Sequence, residues 1–68
     1  MELKWKDNFE IRFRTDDGSA VISANRDGLL SLADQLTMLA GEEPGNHIHY
    51  DAYNSLEDGS DELIIEKI

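Results

Sequence analysis

The chain has 68 residues, 40% of them apolar and 31% charged, with no cysteine and a net charge of −9. That length allows one domain, whose folded form buries only about 60% of the surface its unfolded chain exposes. Disulfides and thiolate metal sites are excluded, and the acidity argues against nucleic acid or an anionic membrane as a partner.

The charge is unevenly spread. Residues 1–14 carry Lys4, Lys6, Arg12 and Arg14 against Glu2, Asp7 and Glu10, a sum of +1. Residues 15–41 sum to −3, and residues 42–68 hold eight acids against Lys67, a sum of −7. Such a surface attracts a basic protein, and it also keeps a small protein in solution. The start, MELKWKDNFE, has no apolar run behind a basic stretch and does not read as a secretory signal. No stretch approaches the ~20 apolar residues of a membrane span. The expected location is the cytoplasm.

The first half reads as β-structure. Leu3 and Trp5 alternate with Glu2, Lys4 and Lys6, and then Phe9, Ile11 and Phe13 alternate with Glu10, Arg12 and Arg14. Period two is the mark of a half-buried strand. A two-residue Asp7-Asn8 turn would place Leu3 and Trp5 on the face of Arg12. A three-residue turn pairs Trp5 with Ile11 and Leu3 with Phe13, keeps the apolar set together, and is the expected one. Asp17-Gly18 then signals a tight hairpin whose central residues both take positive φ. With that turn Phe13 faces Ile22, Ile11 faces Ala24, and a third strand runs over Ser19–Ala24.

A helix follows. Asn25 is the expected N-cap, and Asp27 suits the positive end of the helix dipole. Leu29, Leu32, Ala33, Leu36, Leu39 and Ala40 recur at helical spacing, so this stripe is expected to pack on the sheet, with Asp34, Gln35 and Thr37 off it. Leu30 and Met38 widen the stripe. Gly41 is the natural C′ residue, and Pro44 stops any continuation.

Two further strands are expected, over residues 47–51 and 62–68. In the first, His47, His49 and Asp51 share one side and Ile48, Tyr50 and Ala52 the other. The second set is the better core face, so the histidines point away from the helix. In the second strand Leu63 and Ile65 share one face, and Ile64, Glu66 and Ile68 the other. A strand apolar on both sides is central in its sheet or covers something on its second face. The spacer AYNSLEDGSD reads as an exposed loop pinned by Leu56. The expected architecture is α+β: a β-β-β-α-β-β two-layer sandwich, with one mainly antiparallel sheet and a single helix on one face, forming a single domain over residues 1–68.

Chemistry is sparse. Same-side residues of a strand lie about 6.5–7 Å apart at Cα, so His47 and His49 can share a divalent ion with Asp51 as third ligand. A lone H-x-H lacks the further ligands of a recognised metal motif, and no cofactor is expected. There is no cysteine nucleophile and no serine in a G-x-S-x-G elbow, so the protein is read as non-enzymatic. The pattern suits an interface better. His47, His49 and Asp51 lie on the exposed sheet face, and Tyr53, Glu57, Asp58, Asp61 and Glu62 lie at its rim. A metal-binding module and a small homo-oligomer, such as a homodimer, are the competing readings.

The segment HIHYDAYNSLEDGSDELIIEKI resembles a family of small bacterial immunity proteins from polymorphic toxin systems, the immunity-protein-32 type. The resemblance rests on His47, Ile48, His49, Asp51, Ser60, Glu62, Leu63, Ile64, Ile65 and Glu66, about the last third of the chain, and the helix sequence LLSLADQLTMLA fits it. It implies a protein that binds and blocks a toxin domain. Many such toxins are nucleases with a basic cleft, which a small acidic partner can enter in place of nucleic acid.

Overall fold

The hairpin at Asp17-Gly18 forms as its residues demand. In a computed structural model describing residues 2–68, Asp17 takes φ 47° and Gly18 φ 82°, and the chain reverses between β1 (Ile11–Asp16) and β2 (Ser19–Ala24). The strands are antiparallel, with Ile11 opposite Ala24 and Phe13 opposite Ile22, the register expected from the turn. Ile11 and Phe13 are buried while Arg12 and Arg14 face water.

The helix α1 (Arg26–Ala40) starts where Asn25 caps it: the Asn25 side-chain oxygen accepts the Gly28 amide at 2.8 Å. The same oxygen accepts the Glu10 amide, and the Asn25 side-chain amide donates to Asn8 O at 2.7 Å. One residue thus ties the helix start to the entry of β1. At the other end Gly41 has φ −89°, so the left-handed freedom expected to place a glycine there is not used. Lys67 instead donates its Nζ proton to Ala40 O at 2.6 Å, bringing positive charge to the C-terminal end of the helix dipole.

β3 (His47–Tyr50) pairs antiparallel with β4 (Leu63–Glu66), His49 lying opposite Ile64. Ile48 and Tyr50 point into the core, and His47 and His49 point out, as the alternation indicates. The element order is β-β-α-β-β, in two separate two-stranded sheets. The core between them and the helix holds Ile11, Phe13, Leu32, Leu39, Ile48, Tyr50 and Leu56, flanked by Leu3, Trp5, Phe9, Ala24, Leu63 and Ile65.

Three expectations need correction. Residues 2–6 form no strand, so the single five-stranded sheet is not made, and Trp5 does not pair with Ile11 nor Leu3 with Phe13. Both edges of β1 are already taken: β2 holds one, and the loop before β4 bonds to the other. Glu57 donates its amide to Ile11 O, and Asp61 its amide to Phe13 O, both at 2.9 Å. The N-terminal segment runs instead as an extended strap over the helix. Its backbone bonds go to side chains: the Lys6 amide donates to Ser31 Oγ at 2.8 Å, and Gln35 Nε2 donates to Lys4 O at 2.9 Å. Trp5 stacks on Phe9 with ring centroids 4.5 Å apart and meets the edge of Tyr50.

The strap also explains the second correction. The buried side of α1 carries Gly28, Ser31, Leu32, Gln35 and Leu39. Gln35 is fully buried, whereas Leu29, Ala33, Leu36 and Ala40 are exposed. The helix turns its Ser31–Gln35 side inward, and there both side chains find the partners that buried polar groups need. Gln35 accepts from Tyr50 Oη at 2.8 Å while donating to Lys4 O, which satisfies the buried phenol and the strap together. The third correction concerns β4, which is not central. It pairs with β3 alone and leaves Ile64 and Ile68 in solvent.

Two outcomes follow from this packing. A Cβ added at Gly28 would lie 2.6 Å from Glu10 O and 2.9 Å from Ile11 Cγ1, and the first is rigid backbone. Gly28→Ala gains up to ~1 kcal/mol of helix propensity, yet the clash outweighs it. Urea denaturation should show a net loss of about 1–2 kcal/mol. Burial pushes the Tyr50 phenol up from 10.0 to about 12. The raised value belongs to the folded state, so the unfolded chain gives up this proton first. Stability should be unaffected by Tyr50 below pH 10 and should fall as the pH rises from 10 to about 12. Tyr50→Phe should lower stability at neutral pH by about 1–2 kcal/mol and flatten this alkaline decline.

Candidate functional site

The outward face of the β3–β4 hairpin and the loop joining its strands hold every side chain singled out for recognition. On the face, His47 and His49 lie edge to face with ring centroids 4.9 Å apart. The Nδ1 of His49 is 3.8 Å from Glu62 Oε2, and Ile64 lies opposite His49 in the register. Glu66 stands opposite His47. The surface is a short row of imidazoles bordered by carboxylates with one half-exposed isoleucine beside them.

Asp51 does not join this row. Its Oδ1 accepts the amides of Tyr53 and Asn54 at 2.9 and 3.0 Å, and its carbonyl accepts the Leu56 amide at 2.8 Å. This is the turn chemistry of an Asx residue, and it commits one carboxylate oxygen to the backbone of the loop. Among the described residues no group of three or more His, Asp or Glu side chains is placed to hold a metal ion. The Asp51 turn has a different effect. It drives Leu56 into the core and leaves Tyr53 wholly in solvent.

The acidic loop is built onto the sheet. Besides the two amides given to β1, Ser60 Oγ accepts the Phe13 amide, and Asp61 Oδ2 accepts the Thr15 amide at 3.0 Å. Residues 57–61 therefore lie along β1 where another strand would go. Asp61 is partly engaged in holding the loop, whereas Asp58 and Glu62 project into solvent. Asp58 borders a shallow depression with Arg12, Phe13, Arg14, Gly59 and Ser60. The arginines of β1 thus lie close to Asp58 and offset part of the negative charge at this end of the loop.

Two cavities, of about 110 Å³ beside Arg12 and Arg14 and about 240 Å³ beside Trp5 and Asp34, fall below the ~300–1,000 Å³ of ordinary ligand sites. Neither is lined by a histidine. No helix among the described residues is long and apolar enough to cross a membrane.

Sequence reasoning missed the docking of the loop on β1. A signal for it exists in hindsight: Ser60 and Asp61 end the spacer with two side-chain acceptors, after a Gly59 that takes φ 86° to turn the chain back. It also missed Gln35 and Ser31, whose polar side chains mark the buried side of the helix.

Residues 19–68 match a family model described as Immunity protein 32. The match is wider than the last third that carried the resemblance, taking in β2 and the whole of α1. No curated protein and no solved structure matches the chain.

The loop's attachment can be separated from its charge. Asp61→Ala removes the acceptor for the Thr15 amide and should cost about 1–2 kcal/mol in urea denaturation. Asp61→Asn removes the charge, retains an oxygen acceptor, and should recover most of that loss.

Proposed function

The chain belongs to the immunity protein 32 family, and from that membership we propose that it neutralises a cognate bacterial toxin by binding it directly, in the cytoplasm, with no chemical step of its own. The single observation that carries this reading is the family match over residues 19–68. The matched span contains the whole β3–β4 hairpin and its loop.

The binding surface is the outward face of that hairpin with the acidic loop beside it. Its chemistry suits a cationic partner. Residues 42–68 sum to −7, with eight acids against one lysine, so this end of the molecule dominates the −9 of the whole chain. Glu57, Asp58, Asp61 and Glu62 supply charge next to the face. A basic toxin domain, such as a nuclease with a phosphate-binding cleft, would be drawn toward this field before contact. Blocking such a cleft requires occupancy alone.

Close contact would come from the less polar elements. Tyr53 offers a rigid ring with a hydroxyl and stands fully in solvent, so docking it removes large area from water. Ile64 gives an apolar contact between the histidines and the loop. His47 and His49 hydrogen-bond or stack at the same surface. Asp51 acts through Tyr53, whose amide it holds. Because the loop is already fixed to β1, little ordering is required when the partner arrives.

The test uses a toxin domain sought among the genes that flank this one in its host. A one-to-one complex should form, and the toxin's activity should fall in proportion to complex formed. Raising salt from low to physiological levels should slow association markedly. The triple reversal Glu57→Lys, Asp58→Lys, Glu62→Lys should reduce the association rate by about tenfold or more, while dissociation changes little. Tyr53→Ala should act on the other rate, speeding dissociation and leaving association little changed. Absence of binding, or rates indifferent to salt and to the reversals, would overturn the mechanism.

A further inference from the structure

The free edge of β2 is the other unpartnered surface of this molecule, and its backbone chemistry identifies an occupant. In an antiparallel pair, alternate residues direct their N–H and C=O toward the partner strand and away from it. On β1, Ile11, Phe13 and Thr15 bond outward to the loop. Arg12, Arg14 and Asp16 therefore bond inward, to their register partners Ser23, Val21 and Ser19. It follows that Ala20, Ile22 and Ala24 point their backbone groups away from β1. Nothing pairs with that edge among the described residues, since the sheet ends at β2.

Proteins protect such edges with lysine, proline, bulges or inward charges. SAVISA has none of these. Ile22 lies on the core side of the hairpin yet is 44% exposed, with an alanine two residues away on either side. Gly28 of the helix packs on Ala24, and the next residue, Leu29, is 54% exposed.

We propose that β2 pairs antiparallel with β2 of a second copy of this chain, about a twofold axis at Ile22. In that register Ile22 meets Ile22 of the second copy in a hydrogen-bonded pair, and Ala20 meets its Ala24. The strand is self-complementary there. Identical apolar residues meet at the centre, and small residues flank them and leave room for the crossing. The result is one continuous sheet of four strands, closed at both ends by the acidic loops, with an isologous interface of the kind most homodimers use.

Charge selects this occupant. Two chains of net −9 repel over most of their surfaces. The hairpin over residues 11–24 carries none of that excess, with Arg12 and Arg14 against Asp16 and Asp17, a sum of zero. A second copy can approach here without opposing like charges. A cationic partner would be drawn to the acidic loop on the far edge of β1, whereas the second copy takes the free edge of β2, so the two use different edges of the sheet. The proposal does not depend on the inhibitory role.

The test is the solution mass of the full chain by light scattering, read with amide exchange. The wild type should run at twice the single-chain mass at high concentration. Added salt should strengthen this association by screening the repulsion, which is the reverse of its effect on a cationic partner. Ile22→Lys should halve the mass while leaving the far-ultraviolet circular dichroism unchanged, and Leu36→Asp, on the exposed helix stripe, should leave the mass doubled. In the wild type the Ala20 and Ile22 amides should exchange slowly at high concentration and fast on dilution, a readout that stands even where a variant fails to fold. A single-chain mass at the concentrations used for NMR would overturn the proposal. So would a dimer that survives Ile22→Lys, or Ala20 and Ile22 amides that exchange equally fast at every concentration.

Discussion

β1 is a half-buried strand with two edges, and the chain gives it only one neighbouring strand. Ile11 and Phe13 sit in the core, so their outward carbonyls cannot rely on water. An unpaired buried backbone group costs about 1–3 kcal/mol, so the second edge has to be filled. The loop before β4 fills it, with two backbone amides given to β1 and two side-chain oxygens accepting from it. This makes one core out of two hairpins that share no ladder. It also fixes the acidic loop in place, because the residues that close β1 are the residues that carry the charge. Stability and display are coupled through the same few hydrogen bonds.

A second set of bonds anchors the opposite side. Tyr50 of β3, Gln35 of the helix and the Lys4 carbonyl of the strap form a fully paired chain, and Ser31 holds the Lys6 amide while donating to Asp27 O. No buried side-chain nitrogen or oxygen among the described residues is left without a partner. The helix rotation that satisfies these polar side chains is not the one the apolar stripe alone would select. The consequence is visible at Leu29 and Leu36, which the stripe assigns to the core and the packing leaves outside.

Local chemistry was legible in the sequence where a single residue decides it. Asp17-Gly18 set the turn and, through it, the whole β1–β2 register. Asn25 announced the helix start, and the parity of Ile48 and Tyr50 sent the histidines outward. Leu56 was recognisable as an anchor because it is the only aliphatic in its loop. What was not legible depended on distant partners. The alternation in residues 2–6 correctly reports an extended, half-buried chain, with Leu3 and Trp5 packed on the core, but period two says nothing about which groups its backbone bonds. The same limit applies to Gln35, which reads as a surface residue until Tyr50 and Lys4 are placed beside it. At the candidate site, the grouping of His47, His49 and Glu62 follows from strand parity and register. The diversion of Asp51 into a turn required the conformation of residues 51–56.

The family match over residues 19–68 spans the β3–β4 hairpin and the whole of the acidic loop. The anionic loop is carried directly on the edge of the otherwise neutral β1–β2 hairpin. The central claim is that the acidic loop is an integral part of the β1 sheet, fixed before any partner binds. Native-state hydrogen exchange on the isolated chain tests it most directly, at the amides of Glu57 and Asp61, whose acceptors are Ile11 O and Phe13 O. The account expects these amides to be protected to the same degree as the Arg12 and Arg14 amides of the β1–β2 ladder. Exchange at the rate of an unstructured peptide, while the ladder remains protected, would contradict it.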